Sequence, residues 1–406
     1  MRDVRVGDVK ISEAEKSAIN RVLDSNWLSE GPQVKQFESD WARYVGTKYC
    51  IAMNSGTSAI IAGLEAMKHC EHFPKANEWS KVITSPLTFI ATVNSIKLTN
   101  YQPAFVDVNM DDFSLNAESL KEYLEKADVD DYSAIMQVHL MGYPCDMNKI
   151  NSIAKKYGLA VIEDSCEAHG TKYNGKRTGS LSDFGVFSFF IAHNIQVGEL
   201  GAVTTDDLEL VRFIDKVKAH GRAWDREGQE EAVMKKEKFH NTEHEIDQHP
   251  RYYHDIPGYN FKTTEIQAAL AVEQIKKADW IIKRRLENVK YLNEGMEKFS
   301  DILKLPTYNE DVSFLGYPFV IKDQSKISRK KLREELVTRG IETRPLFGAI
   351  PLHQPVYSYL RKEYEGKIPN AEYLGAHALY IGCHQYLTQE DLDYVIGAFG
   401  EILGKV

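Results

Sequence analysis

Short apolar runs alternating with helical patterns predict an α/β fold: a mostly parallel sheet covered by helices on both faces, then a smaller C-terminal α+β region. Three observations carry this expectation. Five runs, "YCIAM" (49–53), "KVITS" (81–85), "PAFVD" (103–107), "AIMQVH" (134–139) and "LAVIED" (159–164), have the length of buried strands. Helical patterns over 57–68, 118–126 and 147–157 lie between them, as βαβ units require. From about residue 206 the rhythm stops, and a long helical pattern over roughly 263–299 bridges to a different region. The expected division is a large domain over 1–280 and a small one over 281–406.

The elements follow in order. Ser12 and Glu15 form an S-x-x-E capping box before Ile19, Val22 and Leu23, so the first helix starts there. Gly31-Pro32 opens a second, with Val34, Phe37, Trp41 and Tyr44 on one face. After the five runs, "FGVFSFF" and "AVTT" are expected to close the sheet as an edge pair, the first ending near His193. A charged insertion occupies 224–255. It contains His240, His244, His249 and His254; the i, i+4 spacing of the first two suits a helical metal pair, and the surrounding charge favours a solvated loop without metal. In the small domain "FLGYPFVIK" (314–322) predicts a strand and "SRKKLREELVTRG" (328–340) a helix stopped at Gly340.

Bulk composition excludes several classes. Of the 406 residues, 43% are hydrophobic and 27% charged, as in soluble globular chains. A net charge of −9 argues against nucleic acid and against anionic membrane surfaces. No apolar run approaches the ~18 residues of a membrane span, and the N-terminus shows no secretory h-region. Cys50, Cys70, Cys145, Cys166 and Cys383 are scattered without a C-x-x-C pair, so a reducing cytoplasm is expected.

In open α/β sheets, ligands bind beyond the carboxyl ends of the strands. "NSGTSA" (54–59) follows one strand and opens a helix, offering either a phosphate seat built of backbone N–H groups and the hydroxyls of Ser55, Thr57 and Ser58 or an ordinary N-cap. Phe89 in "SPLTF" admits stacking on a flat ring or a core role. Asp164 ends "LAVIED", where a carboxylate caps a helix or holds a protonated ring nitrogen. Ser188 and, five positions on, His193 complete the series.

That order of motifs resembles the DegT/DnrJ/StrS-type sugar aminotransferases, fold-type I pyridoxal-phosphate enzymes. The similarity runs from "GPQVKQFESDWARYVG" and "NSGTSA" through "VIEDSCEAHGTKYNGKRTGSLSDFGVFSF" to "LTQEDLDYV". It implies a seven-stranded-type sheet and a homodimer with shared active sites. It also implies phosphate contacts from Gly56, Thr57 and Ser188, stacking by Phe89 and a ring-nitrogen partner in Asp164. Asn260 of "PGYNFKTTEIQAA" would reach the neighbouring subunit's phosphate. Arg222 and Arg344 are candidate cations for a diphosphate or for the carboxylate of an amino donor, glutamate being the family's usual one.

Two departures redirect the expectation. Where the family's aminotransferases read S-F-x-x-x-K, this chain reads Ser188-Phe189-Phe190-Ile191-Ala192-His193, so the imine-forming lysine is absent. Where they carry Gln after "ED-x-x", it has Glu167, which is counted with the cofactor-binding set. Both changes resemble the family's 3-dehydratase branch, which removes the C3 hydroxyl of nucleotide-linked 4-keto-6-deoxysugars. A related branch adds an iron–sulfur cluster held by clustered cysteines, which this sequence lacks. Imidazole forms no imine but remains a general base and acid near neutral pH. Pyridoxal or pyridoxamine phosphate would then be held without a covalent tether. Two other readings are an aminotransferase working without that lysine, or with one supplied from elsewhere, and a non-catalytic cofactor- or sugar-binding protein. Retention of Gly56, Thr57, Phe89, Asp164, Ser188 and Asn260 argues against the latter.

Overall fold

Alternation along the strands decides how the sheet is covered. Ile51 and Met53 enter one apolar cluster while Cys50 and Ala52 enter another, and Ala134 and Met136 part from Ile135 in the same way. Both faces are therefore buried, as a strand with no polar side requires. The computed structural model describes residues 2–222, 254–346 and 351–404.

In chain order the first part comprises α1 (Glu13–Ser25), α2 (Pro32–Val45), β1 (Tyr49–Met53), α3 (Gly56–Met67), β2 (Lys81–Thr84), α4 (Ile90–Leu98) and β3 (Gln102–Phe105). Next come α5 (Ala117–Lys126), β4 (Tyr132–Val138), α6 (Met147–Tyr157), β5 (Ala160–Asp164) and a small hairpin, β6 (Lys172–Tyr173) with β7 (Lys176–Arg177). β8 (Phe184–Ser188), β9 (Gly201–Thr205) and α7 (Leu208–Lys218) complete it. Seven strands form one sheet in the order β1-β9-β8-β5-β4-β2-β3. Only β9 runs antiparallel to its neighbours.

The β8–β9 pair forms as expected but is not an edge. β1 pairs with β9 from Tyr49↔Thr205 to Met53↔Gly201, so the edges are β1 and β3. The sequence gives the pairing of adjacent strands, whereas β1 returns from more than 130 residues away, beyond any local signal. β8 also stops at Ser188, short of His193. Phe189 donates its N–H to Leu200 and accepts from Val197, which closes 189–200 into a tight excursion. Trp41 of α2, wholly buried, packs edge-on against Phe187 and Phe189 at 5.0 and 4.9 Å and anchors that excursion.

The second part comprises α8 (Glu265–Ile275), α9 (Ala278–Met296), β10 (Leu303–Lys304), β11 (Tyr317–Ile321), α10 (Arg329–Thr338) and β12 (Thr343–Pro345). It ends with α11 (Arg361–Tyr364), α12 (Pro369–His377), β13 (Ala378–Ile381) and α13 (Gln389–Leu403). Its four strands form an antiparallel sheet, β10-β11-β13-β12. The single long helix expected over 263–299 is two helices broken at Lys276–Lys277. Lys277 turns aside to meet Glu15 at 3.0 Å and the Ser12 hydroxyl, where the α1 capping box sits. One apolar cluster joins this sheet to Leu87, Phe105, Val138, Leu140 and Tyr143 of the first part. Each such side chain, fully buried, contributes roughly 1.5–3 kcal/mol. Ser328 caps α10 and Gly340 follows it in the left-handed region.

Candidate active site

A cavity of about 750 Å³ opens at the carboxyl ends of β1, β2, β5 and β8 and is closed on its far side by the second part. It brings together Gly56, Thr57, Phe89, Asp164, Glu167, Ser188, His193 and Arg344, eight of the ten residues singled out from the sequence. Arg222 and Asn260 lie elsewhere, on facing segments tied by the bridges Arg222↔His254 and Ala219↔Asn260. Asn260 is exposed there, and His254 bonds the His220 carbonyl. His240, His244 and His249 lie outside the described residues. Among the described residues no cluster of metal-ligating side chains forms, and no helix is long and apolar enough to cross a membrane.

The seat at α3 depends on missing side chains. Ser55 caps the helix by accepting from the Ser58 N–H, leaving the first-turn N–H groups of Gly56 and Thr57 without intrahelical acceptors. A Cβ on Gly56 would lie 2.5 Å from Ser188 Cβ, and one on Gly201 would lie 2.0 Å from the Ser55 carbonyl oxygen. Glycine at both positions lets the helix start cross β9 and meet Ser188. The result is a small hollow of N–H groups and hydroxyls at a helix N-terminus, which fits a phosphate.

Phe89 is 59% exposed at the cavity and precedes α4, a rare setting for a core aromatic. Asp164 is buried; its carboxylate accepts from Thr92 Oγ1 at 2.9 Å and from the Cys166 N–H at 3.3 Å. Thr92 itself contacts the Thr88 hydroxyl at 2.8 Å. With an aromatic face, a buried carboxylate and a phosphate hollow on one wall, the residues present fit a protonated, phosphorylated pyridine.

His193 donates its backbone N–H to the Phe190 carbonyl at 2.9 Å. Its Nδ1 is buried, and the residue lines the cavity. Burial pushes the imidazole down to about 4, reinforced by the positive Arg285 and opposed by the Ser188 carbonyl. It is thus uncharged at neutral pH. Glu167, buried, accepts from the Met141 N–H at 2.8 Å, and burial raises its carboxyl to about 8. Among the described residues no lysine lines the cavity. Lys216 pairs with Asp255, and Lys218 bonds Glu30 and the Ala52 carbonyl.

Sequence reasoning missed part of the far wall. Leu315, Pro345, Gln354 and Tyr380 close the cavity, and Glu199 and Cys166 also line it. Thr92 was legible: a hydroxyl one helical turn after Phe89 faces the same way. Arg344 reaches the cavity, yet its Nε and Nη2 bond Glu342 at 3.0 and 2.8 Å, leaving part of the fork to bind an anion.

The sequence pattern of the DegT/DnrJ/EryC1/StrS aminotransferase family matches residues 9–400. The chain is 31% identical to the GDP-4-keto-6-deoxy-D-mannose 3-dehydratase of Escherichia coli over 386 residues, covering 94% of this chain and 96% of that one. It is 32% identical to a GDP-perosamine synthase of Escherichia coli over 403 residues, 99% of each. The solved Escherichia coli 3-dehydratase with bound hydrated PLP superposes with a TM-score of 0.84 at 27% identity, covering 98% of this chain and 99% of that one. Fold-type I architecture, the cavity's location and these matches agree: the chain belongs to the DegT/DnrJ/EryC1/StrS aminotransferase family of pyridoxal-phosphate-dependent, sugar-modifying enzymes.

Proposed function

We propose that this protein is a 3-dehydratase that deoxygenates a nucleotide-linked 4-keto-6-deoxysugar, using pyridoxamine phosphate held without a covalent bond. One observation carries the reading: an imidazole stands where the family's aminotransferases place lysine, and among the described residues no lysine lines the cavity. When bound, pyridoxamine phosphate supplies a primary amine for the sugar ketone and a ring that stores the electron pair released by C–H cleavage. Gly56, Thr57 and Ser188 hold its phosphate, Phe89 covers one face and Asp164 keeps the ring nitrogen protonated. Asn260 contributes from the second subunit of a homodimer.

His193, neutral at pH 7, takes a proton on its ring and can return it to the departing C3 hydroxyl, which leaves as water. Glu167 keeps its own proton near neutrality and donates a hydrogen bond toward the cavity. Glutamate restores the amine, so the net change is loss of one sugar oxygen with formation of 2-oxoglutarate and ammonia. The relatives' names supply the substrate class. The 3-dehydratase supports elimination, while the GDP-perosamine synthase favours a second reading, transamination at C4.

A panel of nucleotide 4-ketosugars with glutamate, scored by mass spectrometry, separates the two. Loss of one oxygen is expected; gain of an amine overturns the proposal. Borohydride reduction followed by peptide mapping is expected to leave every lysine unmodified.

A further inference from the structure

The second part of the chain reaches the residue that follows His193. Asn194, buried, donates from Nδ2 to the Ser313 hydroxyl at 2.6 Å and to the Ser313 carbonyl at 3.1 Å. A carbonyl only accepts, so it fixes which end of the Asn194 amide turns toward Ser313. The other end, Oδ1, is buried with no partner among the described residues. An unpaired buried acceptor is unfavourable, so this side chain is held for what its Nδ2 does.

Ser313 is itself seated on the first part. Its N–H donates to Thr171 Oγ1 at 2.9 Å, and that hydroxyl donates to the Gly142 carbonyl at 2.7 Å. A Cβ on Gly142 would lie 2.2 Å from the Ser313 carbonyl oxygen, so the two backbones meet only because no side chain intervenes. Two residues on, Leu315 lines the cavity and donates its N–H to the Met141 carbonyl at 3.2 Å, while the Met141 N–H donates to Glu167. From α9, buried Arg285 donates to the carbonyls of Phe314 and Leu315 at 3.2 and 2.8 Å. The 313–315 segment is thus bonded in three directions: to the neighbour of His193, to the residue that holds Glu167, and to α9.

His193 needs such a tie. It lies between β8 and β9, in a turn whose ends, Phe190 and Gly198, are joined by a bridge. Two residues inside that turn are bonded outward. The Ile195 N–H donates to His169 Nδ1 at 3.3 Å, and Asn194 makes the shorter contact with Ser313, one position from the reactive ring.

We propose that Asn194 is a positioning residue for His193. By tying the turn that carries the ring to Ser313, it lets the second part of the chain set where that ring stands. The segment that presents Leu315 to the cavity therefore also steadies the group that moves the proton. This rests on the proton-transfer role given to His193 above.

Three variants test it on the protein loaded with pyridoxal phosphate. Asn194→Ala removes both bonds, Ser313→Ala removes the one to the hydroxyl, and Ser313→Thr keeps both. Modification by diethyl pyrocarbonate, located by peptide mass mapping, reads the freedom of His193 without any turnover. Buried His169, its ring centre 6.0 Å from that of His193, is the internal control. In Asn194→Ala, His193 is expected to react about tenfold faster than in the wild type, the scale of two lost hydrogen bonds, with His169 unchanged. Turnover of a nucleotide 4-ketosugar should show kcat lowered about 10²-fold, as a misplacement near 1 Å produces, with KM nearly constant. Ser313→Ala should move both readings the same way by less, and it carries the test if Asn194→Ala does not fold. Ser313→Thr should restore the wild-type values. Wild-type reactivity of His193 in the folded variants overturns the proposal, whatever the reaction proves to be. So does an equal rise at His169, the mark of general loosening, or an undiminished kcat. If His193 is released, kcat falls and the product is an amino sugar, only the dehydratase reading falls.

Discussion

The two walls of the cavity are built in different ways. One wall carries Gly56, Phe89, Asp164 and Ser188, each at or just after the carboxyl end of a strand. The other carries Leu315, Arg344, Pro345, Gln354 and Tyr380, brought in by a separate antiparallel sheet. On the first wall a residue's place follows from its distance to the nearest strand end, a local property. On the second it follows from how two sheets pack through one shared apolar cluster. Chemistry is therefore expected of the first wall and selection of the second.

The sharpest way to break this contrast is at His193. His193→Asn, similar in size but without an acid–base nitrogen, should lower ketosugar turnover by about 10²–10⁴-fold with little change in cofactor affinity. Steady-state kinetics and a fluorescence titration with pyridoxal phosphate check both parts. Asp164→Asn comes next. Loss of that buried charge should weaken cofactor binding by about 10²-fold, the scale of a broken buried ion pair, read in the same titration.

On the opposite wall Arg344→Ala should act on KM for an anionic substrate, by about tenfold, with kcat nearly constant. An equal fall in kcat would erase the distinction between the walls. Between them, Glu167→Gln should change stability more than turnover. The Glu167 carboxyl, ordinarily near 4.5, is raised by burial to about 8 in the folded chain. Its favourable contribution is whole below about pH 4.5 and disappears as pH rises through about 8. Thermal unfolding of the wild type should thus lose up to about 5 kcal/mol across that window relative to Glu167→Gln.

These differences also explain what the sequence reveals. The five runs that open the sheet each lie within two residues of an observed strand, because buried strands flanked by helices announce themselves by period and length. Seven of the eight converging site residues do so for the same reason, and Arg344 comes in from the second wall. The edge misassignment arose because β1 returns to pair with β9 across most of the large sheet, which no window along the chain registers. Leu315, Gln354 and Tyr380 sit in segments whose composition resembles any small domain. Arg285 is a harder case: within "KRRLENVK" it reads as one more solvated charge on an amphipathic helix. Only the packing of α9 against 313–315 and 383–385 turns it inward.

Gly56 at the start of α3 meets Ser188 of β8 and Gly201 of β9, and each leaves only enough space for the others. The hollow they frame therefore behaves like a keystone joint that cannot be recut one piece at a time. Transplanting the 189–200 excursion from a cousin would exchange the reactive ring and leave the joint intact. Carrying over the 54–57 turn without its companions at 188 and 201 would jam it. Inheritance along this lineage should thus swap reactions more readily than it swaps vitamins.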